Sequence, residues 1–404
     1  MYRLVGKKII LGVTGGISAY KAAFLVRLLR KNGADIRIVM TENATKFVTP
    51  LTFQALSSNT VYTELLDLDS ETAMSHIELA RWADLILIVP ASANFIAKYA
   101  FGFAEDLLST ICLAADSPVA VVPSMNKQMW ANIATQENIK KINKRGVHIL
   151  GPATGEQACG EDGLGRMIEP EEIVKHAANI FQTNILSGSR LLVTAGPTRE
   201  AIDPIRFLSN RSSGRMGYAV AMAALEAGAD VTLISGPVDL QATGIGKIIH
   251  VTSAEEMHKS VMKKISSTDI FISAAAVADF RVQQISEHKI KKSQDVNELI
   301  IEKTPDILFS VSELYDAPFT VGFAAETEDL ESNAQKKLHL KNLDMIAANQ
   351  VGDGVGIDSE ENALTVFWKT GSKQLPLTSK TKLARKLIKI IASQYNEKNS
   401  NKTH

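Results

Sequence analysis

Cys159 is one of only two cysteines in 404 residues. It stands in the stretch Gly155-Glu156-Gln157-Ala158-Cys159-Gly160-Glu161-Asp162-Gly163-Leu164-Gly165-Arg166-Met167, which is too poor in apolar side chains to be core. Its glycines suit a mobile flap that folds over a ligand, because glycine reaches positive φ and lets other backbone come close. A thiol on such a flap is exposed for proton transfer or nucleophilic work; the plainer alternative is a surface loop carrying an inert cysteine. Asn126, in Pro123-Ser124-Met125-Asn126-Lys127-Gln128-Met129-Trp130, is an amide able to hold a carboxylate in fixed geometry, although Met and Trp neighbours also describe a core lining. His76 has the chemistry of a general base or of a structural histidine before a short helix.

The second half of the chain carries a different chemistry. Between 195 and 217 lies a long polar segment with Arg199, Arg206, Asn210, Arg211, Ser212, Ser213, Gly214 and Arg215. Arginines and serines gathered before a helix describe a polyanion site, with capping serines in a solvated loop as the alternative. Further on, Asp279 follows Ser273-Ala274-Ala275-Ala276-Val277-Ala278, Lys289-Ile290-Lys291-Lys292 supplies cations, and Gly322-Phe323-Ala324-Ala325-Glu326-Thr327 precedes Lys337 and Lys341. A carboxylate for metal or sugar, with ammonium groups to neutralise transferred phosphate, is what nucleotide-driven activation requires. The basic residues read equally as a solvated face.

These groups need a scaffold that brings loops together. Short β-branched runs alternate with helix-period segments, the pattern of parallel sheets covered by helices. Strands are expected at Lys8-Val13, Asp35-Met40, Leu85-Val89, Val119-Val122, Arg190-Thr194, Asp230-Ile234, Ile270-Ser273, Phe319-Gly322 and Met345-Ala348, with helices over Ala19-Arg30 and Tyr218-Ala227. The second set echoes the first: Gly33-Ala34-Asp35-Ile36 answers Gly228-Ala229-Asp230-Val231, each after a strand, a glycine turn and a helix. The fold class is therefore α/β, two tandem doubly wound domains of flavodoxin-like or Rossmann-like type. The polar stretch 182–189 reads as a linker, giving domains 1–189 and 190–404, and Asn396-His404 reads as a fraying end.

In the first domain the turn Thr14-Gly15-Gly16-Ile17-Ser18 opens the first helix and offers free backbone N–H groups to a phosphate. It lacks both dinucleotide glycine spacing and a P-loop ending, so a mononucleotide such as FMN fits it best. Thr41 and Ser92-Ala93-Asn94 sit at neighbouring strand ends and converge on the same crevice.

Composition limits the partners. The 44 basic residues balance 44 carboxylates, and 45% of residues are hydrophobic. No global field draws nucleic acid or membrane, so small-molecule substrates are expected. Cys112 and Cys159 form neither a disulfide framework nor a zinc set, and Ile9-Ile10-Leu11 is too short for a signal segment; a cytoplasmic protein is expected.

Gly-Gly-Ile-Ser, His76, Ala-Ser-Ala-Asn, Pro-x-Met-Asn-x-x-Met-Trp, Ala-Cys-Gly-x-x-Gly-x-Gly-Arg-Met, Ser-Asn-Arg-Ser-Ser-Gly, Ala-Ala-Val-Ala-Asp, Lys-Ile-Lys-Lys and Gly-Phe-Ala-Ala-Glu-Thr follow one another in that order. Their joint order resembles the bacterial bifunctional phosphopantothenoylcysteine decarboxylase/phosphopantothenate–cysteine ligases of coenzyme A biosynthesis, over nearly the whole chain. The resemblance implies that the C-terminal domain couples 4'-phosphopantothenate to cysteine through an acyl-cytidylate, using CTP with Mg²⁺ or Mn²⁺. Ala275, Asp279, Lys289, Pro305, Asp306, Ile307, Leu308, Phe323, Lys337 and Lys341 would hold CTP, with Asp279 on the metal. Asn210, with Arg206, would bind the acyl phosphate and Lys289 would assist activation.

The same resemblance implies that the N-terminal domain decarboxylates 4'-phosphopantothenoylcysteine with FMN held by Gly15, Gly16, Ser18, Thr41, Ser92, Ala93 and Asn94. Direct loss of CO₂ would leave an unstabilised carbanion; oxidation of the cysteinyl thiol to a thioaldehyde lets sulfur accept the electrons. Cys159 would protonate the resulting enethiolate, Asn126 would hold the carboxylate, and His76 would act in the first step. A homo-oligomer is implied, with trimers of the flavin domain, flavin held between protomers and dimers of the ligase domain. Related flavoproteins act as flavin prenyltransferases or oxidise peptide C-terminal cysteines, and these lack the CTP half; others serve as phosphatase-inhibitory subunits. Arg215 stands where many relatives have Lys, and Ile357 where Phe is expected.

Overall fold

The computed structural model describes residues 4–65, 76–240, 244–291, 298–326, 328–350 and 359–402. Lys292, Thr327 and Ile357 lie outside them. The chain forms two compact units, Met1–Phe181 and Gln182–His404.

In the first unit, β1 (Lys8–Val13), β2 (Asp35–Met40), β3 (Val61–Tyr62), β4 (Leu85–Ala91), β5 (Val119–Pro123) and β6 (His148–Ile149) form a parallel sheet in the order β3-β2-β1-β4-β5-β6. Its strands are apolar on both faces because helices cover both. Ile9, Leu11 and Val13 enter one core and Ile10 the other, as the two-residue period of a strand requires. Burial at this depth contributes about 1.5–3 kcal/mol for each large side chain. The strand order reverses between β1 and β4, and at such a switch point the loops leaving the carboxyl ends of the strands part to form a crevice. A hairpin, β7 (Ala153–Glu156) and β8 (Asp162–Arg166), follows the sheet.

The second unit repeats the plan. Its strands are β9 (Arg190–Ala195), β12 (Asp230–Ser235), β13 (Lys247–His250), β14 (Ile270–Ser273), β17 (Phe319–Glu326), β18 (Met345–Gln350), β19 (Glu361–Trp368) and β20 (Gly371–Ser379), between which β10 (Arg199–Ala201) pairs with β11 (Phe207–Ser209) and β15 (Phe280–Val282) with β16 (Ile301–Lys303). The main sheet runs β13-β12-β9-β14-β17-β18-β19-β20, parallel up to β18 and antiparallel in the last two steps. The tandem doubly wound reading is thus borne out, with an antiparallel extension that sequence analysis did not draw.

Three local expectations differ. The stretch 182–189 is not a free linker: Leu186 is buried in the second unit's core, and the Thr183 and Leu186 N–H groups donate to the carbonyls of Glu226 and Ala227. The polar segment 195–217 contains the β10–β11 hairpin. From Asn396 to Lys402 the chain is helical rather than frayed, since the helix Lys380–Lys402 runs through it and Lys398 pairs with Asp344 at 2.6 Å; Thr403 and His404 lie outside the described residues.

Candidate active sites

Gly15, Gly16 and Ser18 lie in the turn between β1 and the helix Ala19–Lys31. A Cβ on Gly15 would come within 2.6 Å of Asn43 Cβ, whereas Gly16 has open space around it. The turn therefore packs tightly on one side and presents bare backbone on the other, which is what a bound phosphate needs. Thr14 fastens this turn to the next strand end: its buried hydroxyl donates to Pro90 O at 2.7 Å and accepts from Ser92 N at 3.0 Å. Ser18 and Ser124 hydroxyls lie 2.8 Å apart, linking the turn to the segment after β5.

These loops line a cavity of about 680 Å³ with Ala93, Asn126, Gln157, Cys159, Arg166 and Lys21. Asn126 caps the helix Lys127–Ala131, its Oδ1 accepting from Gln128 N at 2.8 Å. Its Nδ2 is consequently turned to the hairpin, where it donates to Glu161 Oε2 at 2.8 Å and lies 3.5 Å from Cys159 Sγ. The thiol is exposed, while Cys112 is buried and its thiol pushed up by that burial. The expected flap is a β-hairpin, seated by Met125 N donating to Gly165 O and Lys127 N to Gln157 Oε1, both at 3.0 Å.

Thr41 and Asn94 stand at strand and helix ends but do not line this cavity, and His76 opens the helix His76–Trp82 away from it. Lys21, Ser124 and Glu161 were missed by the sequence reading. Lys21 shows only 14% of its side chain to solvent and pairs with Glu169 at 2.9 Å. That hydrogen bond, opposed by burial and aided by Arg166, holds the Glu169 carboxyl below its usual range.

In the second unit a cavity of about 490 Å³ is lined by Asn210, Ser212, Ser213, Gly214, Ala275, Asp279, Phe323 and Lys337. It lies against the N-terminus of the helix Arg215–Glu226, where Gly214 adopts φ +74°. Asn210 Nδ2 donates to Val277 O at 2.8 Å, tying the arginine-rich segment to the loop after β14. Lys337 pairs with Glu326 at 2.6 Å and Lys341 with Asp306 at 2.7 Å, so the expected basic face is partly neutralised.

Arg206, Lys289, Pro305, Asp306, Ile307, Leu308 and Lys341 do not line the cavity. Ile307 is core, and Asp306 caps its helix by accepting from Phe309 N. Arg206 and the backbone next to Lys289 meet instead on Asp203, whose side chain is fully buried. Burial alone would raise the Asp203 carboxyl, but N–H groups of Ile205, Arg206 and Ile290 and the Arg206 guanidinium outweigh it and hold it below the usual range. Arg215 starts its helix with Nη1 4.0 Å from Glu360 Oε1.

Comparison with known proteins agrees with this division. Residues 2–182 match the Flavoprotein family and residues 186–395 the DNA/pantothenate metabolism flavoprotein C-terminal domain. The chain is 55% identical over 399 residues to the coenzyme A biosynthesis bifunctional protein CoaBC of Vibrio cholerae, covering 98% of this chain and 100% of that one. The chain belongs to the CoaBC family. The Escherichia coli K12 member is 49% identical over 402 residues, covering 98% and 99% of the two chains. A crystal structure of a CoaBC C-terminal domain is 40% identical, covers 53% of this chain and 100% of its own, and superposes with a TM-score of 0.46. The chain is accordingly a bifunctional enzyme of coenzyme A biosynthesis with decarboxylase and ligase activities, acting on small molecules. Among the described residues no helix is long and apolar enough to cross a membrane.

Proposed function

We propose that the first unit decarboxylates 4'-phosphopantothenoylcysteine and that the second makes this compound from 4'-phosphopantothenate, cysteine and CTP. The observation that carries the decarboxylase reading is the convergence of Asn126 and Cys159 on a cavity that the glycine turn also lines. Bare backbone at Gly16 and the helix N-terminus behind it fit the phosphate of FMN, with Ser18, Ser92 and Ala93 alongside. When bound, the flavin supplies reversible two-electron oxidation of the substrate's cysteinyl thiol. Asn126 holds the substrate carboxylate through its amide N–H, the hairpin excludes water, and Cys159 gives its proton to the enethiolate left when CO₂ departs. Thr41, Asn94 and His76 lie outside the cavity, and roles for them require flavin reaching towards a second copy, as in a trimer of this unit.

In the ligase unit, the triphosphate of CTP is proposed to rest on the helix N-terminus at Ser212 and Ser213, with Lys337 and Phe323 beside it. Among the described residues no cluster of three or more His, Cys, Asp or Glu could hold a metal. Asp279 would hold Mg²⁺, which would neutralise the charge of the nucleotide's phosphates. Asn210, whose Nδ2 donates to Val277 O, is proposed to hold the acyl phosphate, and Arg206, bound to Asp203, and Lys289, next to the Ile290 whose N–H also donates to Asp203, to draw charge off it. Pro305, Asp306, Ile307, Leu308 and Lys341 lie outside the cavity, and their proposed part in nucleotide binding is to support its wall. Dimerisation of this unit belongs to the same proposal.

The test separates the two halves. Cys159→Ser should still release CO₂ while 4'-phosphopantetheine formation falls at least about 100-fold; an unchanged yield refutes the proton donor. Asn210→Ala should accumulate acyl-cytidylate with CTP-dependent pyrophosphate release intact, and normal coupling by that variant refutes its assignment.

A further inference from the structure

Glu161 occupies the place on Asn126 that a substrate carboxylate needs. Asn126 Oδ1 is committed to Gln128 N, so its Nδ2 is the group left for a ligand, and that group already donates to Glu161 Oε2 at 2.8 Å. Cys159 Sγ lies 3.5 Å from the same nitrogen and 3.9 Å from the same oxygen. Among the described residues no lysine or arginine comes within 4.0 Å of the Glu161 carboxylate, so Asn126 is its main polar partner. Glu161 and Cys159 ride on one closed turn, in which Gln157 N donates to Glu161 O at 2.8 Å and Gly160 N to Gln157 O at 2.9 Å. The hairpin below is seated independently of Glu161 by the Met125–Gly165 and Lys127–Gln157 bonds. Gln157 stays seated at the foot of the turn, so it is the tip, Ala158 to Gly160, together with the Glu161 side chain, that can shift.

We propose that Glu161 is a built-in stand-in for the substrate carboxylate, and that its displacement and return time the delivery of the Cys159 proton. The inference rests on the reading of Asn126 given under Proposed function. Two carboxylates repel one another on a single amide, so an arriving substrate carboxylate evicts Glu161 and carries the turn, with its thiol, away from the reacting carbon. When the C–C bond breaks, its electron pair stays with the enethiolate and the group that leaves is neutral CO₂. Asn126 is then without an anionic acceptor. Glu161 returns to it and brings Cys159 with it; the S–H bond breaks and a C–H bond forms at the carbon that lost CO₂, giving a thioaldehyde to which the bound flavin would return the two electrons it took up, and solvent water restores the thiol's proton when the turn next lifts. Glu161 is a positioning residue: it selects when Asn126 and Cys159 act and does not touch the reacting carbon.

Removing the stand-in should tighten substrate binding and loosen the coupling between CO₂ loss and protonation. With 4'-phosphopantothenoylcysteine as substrate and the full-length flavin-loaded enzyme, Glu161→Ala should lower KM about tenfold, the worth of one hydrogen bond to a charged group. In a single anaerobic turnover it should also release more CO₂ than 4'-phosphopantetheine, the difference, at most one equivalent per flavin, appearing as free enethiol with its two electrons left on the flavin. Glu161→Gln, which keeps an acceptor but not the charge, should fall between that variant and the parent. Ligase turnover, and the bound-flavin spectrum before substrate is added, should be unchanged in both, which separates this effect from misfolding. A KM at or above the parent value, or one CO₂ per product in both variants, overturns the proposal. If Asn126→Ala keeps the parent KM and CO₂ yield, the reading of Asn126 itself falls.

Discussion

Thr14 shows how one side chain can hold a site without touching its chemistry. Its hydroxyl both donates to Pro90 O and accepts from Ser92 N in a buried setting, joining the two strand ends that flank the switch point. Thr14→Val keeps the shape, leaves Ser92 N without the hydroxyl it donates to and leaves Pro90 O only the longer bond from Thr14 N at 3.3 Å. It should cost about 1–3 kcal/mol, read as a lower urea midpoint for the first unit together with weaker flavin retention. Rare residue types carried the legible part of the sites: a cysteine among glycines and an amide among methionines could be singled out at Cys159 and Asn126. Glu161, Lys21 and Asp203 could not, because their importance comes from partners fixed only by folding. The Asp203 carboxylate gathers Arg206 and Ile290 N across more than eighty residues of chain, and nothing local to Ile202-Asp203-Pro204 announces it.

At the level of elements, the hairpin β7–β8 and the helix Lys127–Ala131 fit only because position 165 has no side chain. Gly165 has φ +140°, and a Cβ there would run into Met125 O. Gly165→Ala should unseat the hairpin and abolish 4'-phosphopantetheine formation while pyrophosphate release by the ligase half continues; equal loss of both activities would contradict the separation. The helices Ala19–Lys31 and Pro170–Ile180 are joined through Lys21 and Glu169. Because the folded Glu169 pKa is depressed, its contribution is complete above the ordinary carboxylate value of 4.5 and is lost as pH falls through the lower folded value. The pair is partly exposed and worth less than about 1 kcal/mol. Flavin release on acidification should therefore be only slightly steeper in the parent than in Glu169→Gln, a difference to be followed by flavin fluorescence. The parallel strands were legible because both faces are apolar. β20 was not: it is an exposed edge strand with Pro376 and one buried residue, Leu375, so it carries almost no period-two signal.

Across the whole molecule, two sheets of one winding order place each cavity at the carboxyl ends of its own strands, so each unit has its own core and its own crevice. Repetition of strand, glycine turn and helix made that plan visible in the sequence. The exact border was not, since a polar stretch with one leucine reads as linker until Leu186 is seen in the core. A ligase fragment beginning at Gln182 should be more stable than one beginning at Arg190 by about 2–5 kcal/mol, the range for losing a buried leucine; equal denaturation midpoints would return the border to Ser189. The helix Lys380–Lys402 adds a constraint of a different kind. Leu383, Leu387, Ile388 and Ile391 complete the same core as β9 and the helix Arg215–Glu226, and Arg385 grips Glu226 at 2.7 Å. On the ribosome the strands of this unit emerge before the segment that covers them, so during translation the nascent ligase half waits with a greasy flank uncovered, while the flavin half upstream has every residue it needs to finish.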